Sequence, residues 1–164
     1  MKNMGKLFLL SLLFFSFTTL NAKEINDKVA LNGIKTAKSV FLIDFTNAAK
    51  TAFYLRVIEG THKGFVNQGV EPKMVLVFIG ETVKYLSTKQ DEAFEMENEE
   101  HLESIQESIK NFGKLGVRME VCAVATKVFN VGNNTIPNEM DIVADGFISL
   151  IGWQTQDHKL VPIF

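Results

Sequence analysis

The 164-residue chain is 46 % hydrophobic, carries a formal net charge of −2 and contains a single cysteine. That apolar share suits one globular domain, and the lack of a basic excess or stripe argues against a nucleic-acid partner. One cysteine excludes an internal disulfide and a multi-cysteine zinc site.

Lys2 and Lys6 precede an uncharged, Leu- and Phe-rich run from Leu7 to Leu20, and Asn21-Ala22 then leads into charged Lys23-Glu24. This layout predicts a secretory signal peptide over residues 1–22, cleaved after Ala22. The run falls short of the about 20 residues that a spanning helix needs, which disfavours an uncleaved anchor. The expectation is a periplasmic or secreted protein with no membrane attachment after cleavage. Residues 23–38 are polar and mixed, and read as an N-terminal leader in which Val29 to Ile34 form a short edge strand or no strand at all. The domain proper is placed at 39–164.

Ser39 to Phe45 is a near-continuous apolar run, the pattern of a central strand covered on both faces. Thr46 or Asn47 can cap a helix with Ala49, Ala52, Phe53 and Val57 on one stripe, widened by Leu55 and Ile58. Gly60, Gly64 and Gly69 are expected to end it. Pro72 to Gly80 is a second buried strand, followed by a short helix from Thr82 to Leu86. Asp91 to Glu107 then holds eight acidic residues and no Lys or Arg. Because Leu102, Ile105, Ile109 and Phe112 recur at helical spacing, this is a solvated helix face rather than a cation site, with Asn98-Glu99-Glu100 marking its start.

Gly116 breaks that helix, and Val117, Met119 and Val121 then alternate with Arg118 and Glu120, the period of a third strand. Thr126 to Phe129 reads as a helical turn, Met140 to Asp145 as a fourth strand closed by Gly146, and Phe147 to Gln156 as a helix burying Ile148, Ile151 and Trp153 or Leu150. Leu160 to Ile163 is a terminal strand in which Pro162 marks an edge strand or a strand end. Alternation of this kind predicts an α/β fold: a three-layer sandwich with a mostly parallel sheet of about five strands and helices on both faces.

Cys122 ends the third strand, and ligands of open α/β sheets gather beyond such strand ends. The N–H groups of Ala123 to Thr126 and the Thr126 hydroxyl are candidates to stabilise a thiolate there. Asp44 and Gly80, at the ends of the first and second strands, are assigned to the same crevice as ligand-binding positions. An anion at Asp44 close to the sulfur would raise the thiol's pKa. Free cysteine is also among the most buried residue types, so a core role for Cys122 stays open. His62, His101 and His158 are far apart in sequence and read as surface residues, so no metal site is expected. No phosphate-cradling, dinucleotide-binding or nucleophile-elbow motif occurs, and no cofactor is expected.

In order and spacing, Val75-Leu-Val-Phe-Ile-Gly80, the acidic helix closing in Leu115-Gly-Val117, Val121-Cys-Ala123, and Asp145-Gly146 followed by Leu150-Ile-x-x-Gln154 resemble the DsrE/DsrF and YchN-like family. The resemblance spans about Ser39 to Phe164. It implies a small α/β sandwich that assembles into homotrimers, hexamers or larger rings, with some members carrying sulfur as a cysteine persulfide. Cys122 matches the family's cysteine after the third core strand. The resemblance thus implies a carrier that accepts sulfane sulfur on Cys122 and passes it to a partner thiol, with a donor or acceptor protein as partner. The export signal separates this chain from the cytoplasmic relay members and from transfer-RNA thiolation. The alternative is a non-catalytic oligomeric binding module in which Cys122 belongs to the core.

Overall fold

The two apolar runs at the front of the domain become adjacent central strands, β1 (Thr36–Ile43) and β2 (Glu71–Phe78), paired in parallel. The computed structural model describes residues 24–163, so the expected signal peptide lies outside the described residues. Strand β3 (Arg118–Cys122) pairs with β2, β4 (Asp141–Val143) with β3, and β5 (Lys159–Ile163) with the free side of β1. The result is a five-stranded, all-parallel sheet in the order β4-β3-β2-β1-β5.

This order decides which face each helix covers. The steps from β1 to β2 and from β2 to β3 run in one direction, through helices α1 (Ala48–Asn67) and α2 (Glu92–Lys114). Right-handed crossovers place both on one face, where they pack side by side. The step from β4 back across the sheet to β5 runs the opposite way, so α4 (Gly146–Thr155) covers the second face, against β1, β2, β3 and β5. A short helix, α3 (Ala123–Val128), follows β3 directly, and a 3-10 segment over Gly80–Leu86 follows β2. Phe78, Phe112, Ile43, Leu55 and Leu76 are among the fully buried side chains of the core between these layers.

Several boundaries differ from the sequence reading. The leader forms turns, not a strand, and is tied to α1 through Asp27 and Gln68; β1 begins at Thr36. Asn47 caps α1 through the Lys50 N–H, but the helix runs through Gly60 and Gly64 and ends at Asn67. Its buried stripe is Ala48, Thr51, Ala52, Leu55, Ile58 and His62, and the expected stripe residues Phe53 and Val57 are exposed. Ala52, Leu55 and Ile58 of the expected stripe are buried, and apolar residues on both of its flanks keep periodicity alone from fixing its centre. Helix α2 starts earlier than Asn98, at Glu92, because Asp91 accepts the Phe94 N–H at 3.0 Å and ends the frayed backbone there. Leu102, Ile105, Ile109 and Phe112 point inward as their spacing predicts. Gly146 opens α4 instead of closing β4, and Leu150 is buried while Ile148 and Ile151 face outward. His62 and His158 are buried, not surface residues. Among the described residues no helix is long and apolar enough to cross a membrane.

Candidate functional site

Strand β3 passes into α3 with no intervening loop, and Cys122 occupies the joint as the residue that caps the helix. Its side chain lies on the face of the sheet covered by α4. There Sγ accepts the Gly146 N–H at 3.2 Å, so the sulfur meets the first residue of α4. Asp145 caps the same helix, accepting the Phe147 N–H at 2.8 Å, which leaves the Gly146 N–H free for the sulfur. A helix start carries partial positive charge and unpaired N–H groups, and here one of those groups is directed at the sulfur. The thiol is also largely covered, with Cys122 6 % exposed.

The approach is close because residue 146 has no side chain. A Cβ there would lie 2.6 Å from Ile79 Cγ2, 3.1 Å from Cys122 Cβ and 3.4 Å from Sγ. The first of these distances is a clash that real side chains avoid.

The other sequence-assigned positions do not converge on the sulfur. Thr126 is buried, and its hydroxyl is directed at Asn133 Oδ1 (2.6 Å) and the Ala123 carbonyl (3.1 Å), where it fastens the turn after α3. Asp44 follows β1, and β2 separates β1 from β3, which puts it about 9–10 Å away in the strand-to-strand direction. Asp44 and Gly80 do meet each other. Gly80 adopts φ +58°, and a Cβ on it would stand 2.1 Å from Asp44 Oδ1, so this pair shapes the turn leaving β2. The donor to the thiol therefore comes from α4, not from α3 or Thr126.

Glu120, on the polar phase of the β3 alternation, is only 3 % exposed. Helices cover both faces of this sheet, so the polar phase of the alternation is buried too. Glu120 Oε1 accepts from Arg118 Nε at 2.5 Å, and Oε2 accepts from the Ser149 hydroxyl and from Trp153 Nε1 at 3.0 Å. Arg118 also reaches Asp141 Oδ2 at 3.0 Å and lies over the Trp153 ring. A cleft of about 270 Å³, with Glu120, Asp145, Ile148, Ser149 and Trp153 in its walls, opens beside this cluster. The available signal was Glu120-x-Cys122, which puts both side chains on one face, combined with Ser149 and Trp153 one helical turn apart.

Burial pushes the Glu120 carboxyl up, but the donors from Ser149, Arg118 and Trp153, together with the Arg118 charge, outweigh it and hold the carboxyl below its ordinary value. A depressed carboxyl stabilises the fold above the unfolded-state pKa of about 4.3, and that stabilisation is lost as pH falls through the folded value. The thermal midpoint of the wild type is therefore expected to drop below about pH 4.3 more steeply than that of Glu120→Gln. Calorimetry from pH 7 to pH 3 checks this, and parallel acid limbs would refute it. Among the described residues no three His, Cys, Asp or Glu side chains gather as a metal-binding group.

The model of the DsrE/DsrF-like family matches residues 37–163. A protein of unknown function from Methanobacterium thermoautotrophicum, MTH1491, shares the fold with a TM-score of 0.59 at 12 % identity, over 79 % of this chain and 99 % of that one. The ychN protein from E. coli does so with a TM-score of 0.57 at 14 % identity, over 77 % of this chain and 99 % of that one. At such identities the likeness concerns the fold alone. No curated protein matches the chain.

Proposed function

The chain belongs to the DsrE/DsrF-like family, and from that premise we propose that it is a sulfur carrier whose working group is Cys122. The Gly146 N–H donated to Sγ at 3.2 Å is the observation that carries this reading, since it gives a developing thiolate a ready partner. The Cys122 thiolate attacks the outer sulfur of a donor persulfide R–S–SH. The S–S bond breaks, R–S⁻ leaves, and Cys122 holds –S–SH. Attack by an acceptor thiolate on that outer sulfur regenerates the Cys122 thiolate, so neither step needs an external oxidant or reductant. We further propose that the protein is exported after cleavage following Ala22. It would assemble as a homotrimer or hexamer through the outer side of α4, where Phe147, Ile148 and Ile151 are each more than half exposed.

A second reading is favoured by the burial of Cys122, whose side chain belongs to the hydrophobic core cluster. On that reading the protein is a non-catalytic oligomeric binding module and the thiol is packing. Polysulfide treatment of the native protein separates the two. The carrier gains one sulfur, ~32 Da, at Cys122 by intact mass and peptide mapping. No adduct on the native protein, with ready alkylation once it is unfolded, would leave the packing reading in possession.

A further inference from the structure

We propose that Glu120 is a positioning residue for Cys122, gripping α4 so that the Gly146 N–H stays on the sulfur. This rests on the reading of Cys122 as the sulfur-carrying group.

Side chains two apart on a strand share a face, so Arg118, Glu120 and Cys122 form one row on β3, spaced about 6–7 Å apart. Gly146, Ser149 and Trp153 form one stripe on α4, which runs back along that row. Every rung between row and stripe is occupied. Cys122 Sγ takes the Gly146 N–H, Glu120 Oε2 takes the Ser149 hydroxyl and Trp153 Nε1, and Arg118 lies over the Trp153 ring. Glu120 thereby fixes the sliding and rotation of the helix whose first N–H addresses the sulfur. No other contact named on this stripe fixes both.

The choice of residue supports the same conclusion. Burying a carboxylate is costly before its partners offset it, and well-packed apolar side chains often stabilise as much or more. A layer that needed only cohesion would do as well with leucine at position 120. A carboxylate with directed donors fixes an orientation, which apolar packing does less sharply. Arg118 keeps Asp141 as a second partner, so removing the Glu120 carboxylate does not leave the guanidinium unpaired.

The test follows the Gly146 amide in the ¹⁵N-labelled chain by hydrogen exchange, alongside the rate at which iodoacetamide alkylates native Cys122. In Glu120→Ala, exchange at Gly146 and alkylation of Cys122 are each expected to speed up by about tenfold or more, while amides of α1 stay protected. Glu120→Gln keeps an oxygen for Ser149 and Trp153 and is expected to restore both rates to within about threefold of wild type. Leu102→Ala, in the opposite layer, is the control: it lowers the thermal midpoint and leaves both rates unchanged. Should Glu120→Ala not fold, Ser149→Ala and Trp153→Phe, which each delete one donor, carry the same comparison. Wild-type rates in Glu120→Ala, or equal acceleration by Leu102→Ala, would overturn the proposal. A wild-type protein that takes up no sulfur overturns the carrier reading alone, because Gly146 exchange reports the grip whatever chemistry the thiol performs.

Discussion

Replacing Cys122 with serine is expected to abolish sulfur uptake outright: no gain of ~32 Da after polysulfide treatment under conditions that load the wild type. The loss should be complete, because this is the chain's only cysteine and a serine hydroxyl is neither ionised nor nucleophilic enough at neutral pH. The fold should survive the change. Serine Oγ can still accept the Gly146 N–H, so that donor stays satisfied and the expected stability cost is about 1 kcal/mol. Cys122→Ala is the informative companion. It removes the acceptor and leaves a buried N–H unpaired, for an expected loss of about 1–3 kcal/mol. Chemical denaturation ranks the three proteins and intact mass reads the chemistry. Sulfur uptake that persists in Cys122→Ser would place the acceptor elsewhere and end the carrier proposal.

Gly146→Ala is expected to damage both stability and reactivity. The new methyl group would meet Ile79 Cγ2 at 2.6 Å and Cys122 Cβ at 3.1 Å, so either α4 or these two residues must move. Overpacking of this kind costs about 1–3 kcal/mol. Alanine is otherwise the better helix former by about 1 kcal/mol, so a net loss would have to come from the clash and not from helix propensity. For a domain of this size each kcal/mol lowers the thermal midpoint by roughly 2–4 °C. A shift of α4 that relieves the clash also draws the N–H away from Sγ, and sulfur loading should then slow by about tenfold or more. Wild-type stability together with wild-type loading would show that the close approach at residue 146 is dispensable.

The core of the sheet was legible because β1 and β2 are apolar on both faces and bounded by Pro72 and Gly80, a pattern few other elements produce. Cys122 was legible as a strand end because Gly116 and the β3 alternation fix where that strand starts. The inward face of α2 was clear as well, since its apolar residues are few and its acids mark the outside. Helices α1 and α4 gave no such contrast. Phe53 and Val57 compete with Leu55 and Ile58, and Ile148 and Ile151 compete with Leu150 and Trp153, so the sheet decides what hydropathy leaves open. Glu120 escaped for a related reason. Its neighbours arrive from α4, some thirty residues later in the chain, and a one-strand pattern holds no record of them. The partner of the sulfur was likewise hidden, because Gly146 reads as a strand terminator until Asp145 is seen to cap a helix.

Helices α2 and α4, on opposite faces of the sheet, differ sharply in what they show to the outside. All eight carboxylates between Asp91 and Glu107 point outward from the α2 side, whereas α4 presents hydrocarbon on the far side. Two copies meeting through α2 would set like charges against each other, a repulsion that added salt weakens. Copies meeting through α4 would remove oily surface from water and leave the acidic helices on the rim. A ring built through α4 would therefore bury its hydrocarbon inside and keep the α2 carboxylates in water.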